Sequence, residues 1–132
     1  MKHIELILIL IILSACQSNT GKMDAKVSFP ETEYNFGVLE YKKPAQHRFA
    51  VKNVGETPLI ISNVETSCGC TVPEWTKKPI KPSKGGEINI TYESDFPGQF
   101  RKTITVFYNG TNSPDTLLIK GEVELPKEMK NL

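Results

Sequence analysis

The feature that most restricts the fold of this chain is the alternation of apolar and polar residues from Val27 onward. His47, Phe49 and Val51 fall on one side of an extended backbone, and Arg48, Ala50 and Lys52 on the other. Thr103, Thr105 and Phe107 alternate in the same way with Ile104, Val106 and Tyr108. A period of two belongs to a strand with one buried face, and no stretch of the body sustains the period of about 3.6 residues that a helix requires. Helix is therefore expected to be nearly absent.

Seven strands are predicted, over 26–29, 33–39, 45–53, 59–66, 87–93, 101–108 and 116–123. The segments between them are rich in turn formers: Asn53-Val54-Gly55-Glu56-Thr57-Pro58, Lys81-Pro82-Ser83-Lys84-Gly85-Gly86 and Asn109-Gly110-Thr111-Asn112-Ser113-Pro114. Short strands with such turns imply an immunoglobulin-like β-sandwich of two antiparallel sheets. Its predicted core is Phe29, Phe36, Phe49, Val51, Ile60, Ile88, Ile90, Tyr92, Ile104, Val106, Leu118 and Ile119.

The first residues carry a different signal. A weakly basic start, Met1-Lys2-His3, precedes an unbroken apolar run from Leu6 to Leu13, the proportions of a secretory signal and too short to span a bilayer. Glu5, just before that run, weakens the signal without removing it. The run ends in Leu13-Ser14-Ala15-Cys16, which resembles the lipobox of bacterial lipoproteins. On this reading residues 1–15 are a cleaved signal peptide and Cys16 carries lipid. Residues 16–26, polar and rich in Ser, Asn, Thr and Gly, form a flexible tether to a domain over 27–125, followed by a tail over 126–132. Several acyl chains on one cysteine would moor the domain to the membrane. Gln17 rather than Asp follows Cys16, which by resemblance to Gram-negative sorting rules implies the outer membrane, facing the periplasm. The charge is balanced, 16 basic against 15 acidic residues for a net +1, so a nucleic-acid partner is not expected.

Several fragments in order resemble one recurrent bacterial pattern: Phe36-Gly37, Phe49 with Asn53-x-Gly55-x-x-Pro58-Leu59, Ser67-Cys68-Gly69-Cys70-Thr71, Pro79-Ile80-x-Pro82 and Ile119-x-Gly121-x-Val123. Together they are similar to the domain of unknown function 1573 family over nearly all of 27–123. The resemblance implies an immunoglobulin-like sandwich akin to major-sperm-protein and pilin-chaperone modules, in lipoproteins or secreted proteins, and no settled biochemical role. Three departures fall at turns: Asn35 where the family usually has Asp, Ser83 where it has Gly after the proline, and Tyr41-Lys42 where Gly is common.

Cys68 and Cys70 are the thiols left after lipidation of Cys16, and an extracytoplasmic compartment permits their oxidation. With one residue between them they fall on one face of an extended strand, near the outer limit for a disulfide, which Gly69 relaxes. A bridge over so few atoms would be strained and readily reduced. Three readings stay open: a structural pair, bonded or merely buried; a thiol–disulfide exchange site; and a soft-metal chelate. The last would need further donors, and His47 is the one histidine beyond the signal peptide. Exchange catalysts usually place their cysteines at a helix start, an aid this strand-borne pair lacks. No Gly-x-Ser-x-Gly, phosphate loop or acid–base pair stands out, so no catalytic residue, cofactor, metal or small-molecule substrate is assigned. Trp75 is expected to cover the sandwich, with a partner contact as its alternative role. The function this supports is a tethered, non-enzymatic module recruiting another envelope protein; thiol-redox or soft-metal chemistry at Cys68 and Cys70 is the alternative.

Overall fold

The structure, a computed structural model, describes residues 24–132. The signal peptide, Cys16 and most of the tether lie outside the described residues. Among those described there are eight strands and no helix: β1 (Val27–Ser28), β2 (Glu33–Glu40), β3 (Ala45–Asn53), β4 (Ile61–Thr66), β5 (Thr71–Trp75), β6 (Gly85–Tyr92), β7 (Gly98–Tyr108) and β8 (Asp115–Glu124). They form two four-stranded sheets, in the order β1-β3-β6-β5 and β2-β8-β7-β4.

The expected sandwich is present, with two differences in detail. β5 is an additional strand, hidden in the sequence by Pro73 at its centre, since a proline within an apolar run argues against pairing. The sheets are also not wholly antiparallel: β2 runs parallel to β8. Pro30 accounts for this. The register Ser28↔Lys52 would bring residue 30 opposite Ala50, where the ladder needs an N–H that proline lacks. The chain leaves β3 there, crosses the sandwich and resumes beside β8.

The alternation of β3 is realised as expected, with Phe49 and Val51 fully buried and Arg48, Ala50 and Lys52 exposed. Phe49, Val51, Ile88, Ile90, Tyr92, Ile104, Val106, Leu118 and Ile119 are buried, whereas Phe29, Phe36 and Ile60 are half-buried. At the entry to β4 the phase is shifted by one: Leu59 and Ile61 point inward and Ile60 does not, because Leu59 pairs with Ile80 ahead of β4 proper. Gly121 leaves room for the Phe100 ring, which a Cβ there would meet at 2.8 Å. The Phe100 ring in turn stacks on Tyr92 across the interior.

The domain's packing also begins before Val27. Ala25 is buried and donates its N–H to the Asn109 carbonyl, the Val54 N–H donates to the Lys26 carbonyl, and Asp24 accepts from the Thr111 N–H. The chain thus enters at the end of the sandwich formed by residues 53–60, 76–84 and 109–114. The opposite, distal end holds the turns 41–44, 67–70 and 93–97.

Candidate functional site

The turn between β4 and β5 has an unusual task, since these strands belong to opposite sheets and the chain must cross between them within Ser67 to Cys70. Hydrogen bonds fix the crossing. The Ser67 N–H donates to the Thr103 carbonyl and its Oγ accepts from the Thr103 N–H, at 3.0 and 3.1 Å. Thr66 Oγ1 lies 2.9 Å from the Cys68 carbonyl and 3.0 Å from that of Thr71, and the Glu93 N–H donates to the Cys70 carbonyl at 2.8 Å.

On this frame Cys68 and Cys70 form a disulfide, with their Cα atoms 5.3 Å apart. A cross-link closing so short a loop removes little entropy from the unfolded chain, about 1.6 kcal/mol against about 3 kcal/mol for a fifteen-residue loop. The turn's hydrogen bonds do the holding. Both cysteines are half-buried; Cys70 packs on the core cluster, and Cys68 is not among the residues packed against it. The Thr71 hydroxyl, on a residue 3% exposed, lies 3.5 Å from the Cys68 Sγ. A Cβ added at Gly69 would meet nothing within 4 Å, so the crest of the turn is open. The same end exposes Phe96, 73% accessible, on the loop that follows Glu93.

His47 is not near this turn in the sheet: it lies on β3, two strands from β5 across β6. Its Nε2 is 2.7 Å from Glu31 and its ring stacks on Tyr34 at 3.5 Å. Among the described residues no group of three or more His, Cys, Asp or Glu converges on one point. Trp75 seals the flank between the sheets: its indole N–H donates to the Ile61 carbonyl of β4, and the Lys77 ammonium lies over its ring.

The sheet edges differ in how open they are. On β5 the backbone groups of Cys70 and Thr76 bond toward Glu93 and Glu87, so those of Thr71, Pro73 and Trp75 face outward. Thr66 and Cys68 engage Thr71, and Pro73 offers no N–H. The β4 edge is broken by a register shift between Ile61 and Asn63 and capped by Trp75. On β2 a bulge between Asn35 and Val38 interrupts pairing; Gly37 takes φ 68 and its N–H donates to Asn35 Oδ1. Asn35 thereby fills the turn role expected of Asp. The remaining edge is β3. Of its nine residues, β1 pairs only with Lys52 and Asn53. Asn53 bonds toward residues 83 and 84, which by alternation turns the backbone N–H and C=O of Gln46, Arg48 and Ala50 to the open side. Proline at position 30, two residues beyond β1, was the sequence signal for this open edge.

The outer face of β2, β8 and β7 carries a shallow groove of about 530 Å³ between Val38, Arg101, Lys120 and Glu122. Its Lys120 is paired with Glu33, whose carboxyl is held below its usual value chiefly by that hydrogen bond.

No curated protein matches this chain in sequence. Among solved structures it is similar to a protein of unknown function from Porphyromonas gingivalis W83, with TM-score 0.69 and 17% identity over 82% of this chain and 51% of that one. The chain thus spans about half the length of that protein. It is also similar to PapD-like domain 7 of human CEP192, with TM-score 0.67 and 10% identity over 84% of this chain and 94% of that one. For the YadV chaperone the TM-score is 0.52, with 13% identity over 77% and 53%. These likenesses establish a PapD-like, immunoglobulin-like fold. The model of the family described as protein of unknown function (DUF1573) matches residues 27–123, and the chain belongs to that family.

Proposed function

We propose that this chain is a lipid-anchored, non-enzymatic binding module of the bacterial envelope that takes an extended segment of a partner protein along the open edge of β3. The observation that carries this reading is the termination of the β1–β3 ladder at Pro30, which leaves the outward N–H and C=O groups of Gln46, Arg48 and Ala50 without a strand partner among the described residues. An added strand would run antiparallel to β3, on the line β1 vacates. The likeness to PapD-like domains, a chaperone among them, supports a binding role.

The anchor in this proposal is Cys16. With the chain entering at the proximal end, the distal turns would lie farther from the bilayer than that end by up to the length of β7, about 36 Å for its eleven residues. The outer membrane, facing the periplasm, is the proposed site. Cys16→Ser is expected to move the protein from the membrane to the soluble fraction.

Ala50→Pro tests the edge. It removes one outward donor and leaves the β3–β6 ladder its bonds. Partner crosslinking from intact membranes is expected to fail with Ala50→Pro and to persist with Glu122→Gln on the opposite sheet, circular dichroism being the same for both. Crosslinking that survives Ala50→Pro undiminished overturns the assignment to β3.

A further inference from the structure

We infer that the Cys68–Cys70 disulfide is a thiol–disulfide exchange site for a protein dithiol, placed at the end of the domain farthest from the chain's entry. The bond is dispensable as a staple: the crossing from β4 to β5 is already fixed by Thr66, by the Ser67–Thr103 pair and by the Glu93 N–H on the Cys70 carbonyl. A cross-link between residues two apart constrains little of the unfolded chain. What the turn does provide is access, chemistry and a resting place for the released sulfur. Gly69, between the two cysteines, is exposed; Cys70 packs on the core, where a neutral thiol sits as a small apolar group, and Cys68 is not among the residues packed there.

The steps follow from that asymmetry. A thiolate of the partner attacks Sγ of Cys68, forming a mixed disulfide; the Cys68–Cys70 bond breaks, and its electron pair leaves on Cys70 Sγ, which takes a proton. The partner's second thiolate then attacks its own sulfur in the mixed disulfide. The bond to Cys68 breaks, the electron pair leaves on Cys68 Sγ, and the partner departs as a disulfide. Two electrons pass from the partner dithiol to the cysteine pair, and the two protons that the partner's thiols give up to solvent are matched by the two that Cys70 and then Cys68 take from it. The buried Thr71 hydroxyl, 3.5 Å from Cys68 Sγ, is placed to donate to the thiolate released in this second step. A partner disulfide reverses the sequence and restores the bond. Exposed Phe96, at the same end, offers an apolar contact to the approaching protein.

The test uses the oxidised full chain and a reduced synthetic Cys-x-x-Cys peptide in native buffer, followed by mass spectrometry. Expected are a peptide that loses its two thiol hydrogens, a protein that gains them, and a folded, reduced protein whose circular dichroism and melting curve still report the sandwich. With the peptide in its disulfide form, Cys70→Ser is expected to trap an adduct on Cys68 faster than Cys68→Ser traps one on Cys70. Thr71→Val is expected to slow release of the oxidised peptide by about tenfold, the worth of one hydrogen bond to a thiolate. A pair that stays oxidised until denaturant is added, or a sandwich that unfolds when the pair is reduced, overturns the inference. Loss of β3-edge crosslinking without loss of exchange, or the reverse, separates it from the binding reading.

Discussion

The two ends of the sandwich fix their turns by the same means and differ in what they add to it. At the proximal end polar groups are buried and tied: Asn53, 1% exposed, donates through Nδ2 to the Thr57 and Ile80 carbonyls and accepts the Gly55 N–H on Oδ1. Half-buried Asn109 accepts from the Ile60 N–H and donates to the Pro58 carbonyl, and Tyr108 donates to Asp115. One buried hydroxyl there, Thr57 Oγ1, has no protein partner. The distal end has ties of the same kind, the buried Ser94 hydroxyl between the Glu40 and Lys43 carbonyls and the Thr66 hydroxyl between those of Cys68 and Thr71, but it also carries a disulfide and exposes Phe96. Of the two motifs that carry the family resemblance most clearly, the Asn53-x-Gly55-x-x-Pro58-Leu59 element is therefore explained by folding. In the Ser67-Cys68-Gly69-Cys70-Thr71 element folding explains Ser67, bound to Thr103, and the buried Thr71, but not the two cysteines, and that difference directs attention to their sulfur chemistry.

The comparison breaks most readily at Asn53. Asn53→Ala leaves two carbonyls and one N–H without their side-chain partner in a closed loop, and is expected to cost about 3 kcal/mol in urea unfolding. A cost near zero would show that the proximal ties are decorative. Alkaline titration comes next. Burial first, then the hydrogen bond to Asp115, raises the Tyr108 phenol above its ordinary 10.0, and burial does the same for distal Tyr92. The unfolded chain releases these protons first, so stability is intact below about pH 10 and falls above it by about 1.4 kcal/mol per unit for each phenol still protonated in the fold. Tyr108→Phe should flatten that decline more than Tyr92→Phe, because Tyr108 alone of the two faces a carboxylate.

Much of the frame was readable in advance because the alternation of β3 and β7 reflects burial on one face only, the condition under which period two is strongest. β5 was not legible: Pro73 masks a strand that pairs on one side alone and so has no need of that N–H. The parallel course of β2 was missed for a related reason, since pairing direction depends on where Pro30 ejects the chain, a matter of register rather than composition. The cysteines were picked out by type and spacing. Their setting was invisible, because Thr66, Thr71 and Glu93 reach the turn from two sheets and a loop.

At the distal end, replacing both Cys68 and Cys70 by Ser is expected to cost about 1.6 kcal/mol at most, little more than half of the Asn53→Ala effect. A loss equal to that of Asn53→Ala would make the disulfide a staple and erase the contrast between the ends. The smallest expected effects concern two turns, one at each end. Lys42 and Ser83 are the non-glycine residues with positive φ among those described, at 60° and 64°, and both stand where the family resemblance leads one to expect glycine. A side chain in the left-handed region costs about 1–2 kcal/mol, and the freer unfolded glycine chain returns about 0.4–1 kcal/mol of that, so each Gly substitution should stabilise by about 0.5–1 kcal/mol. The turns are far apart, so the two gains should add. They should not be equal. Lys42 places its ammonium 5.3 Å from the centre of the Tyr41 ring, a contact that Lys42→Gly forfeits, whereas Ser83 binds Asn53 through its backbone N–H, which Ser83→Gly keeps. Thermal unfolding should rank Ser83→Gly above Lys42→Gly, and the reverse order would mean that the proximal turn needs its serine for more than φ.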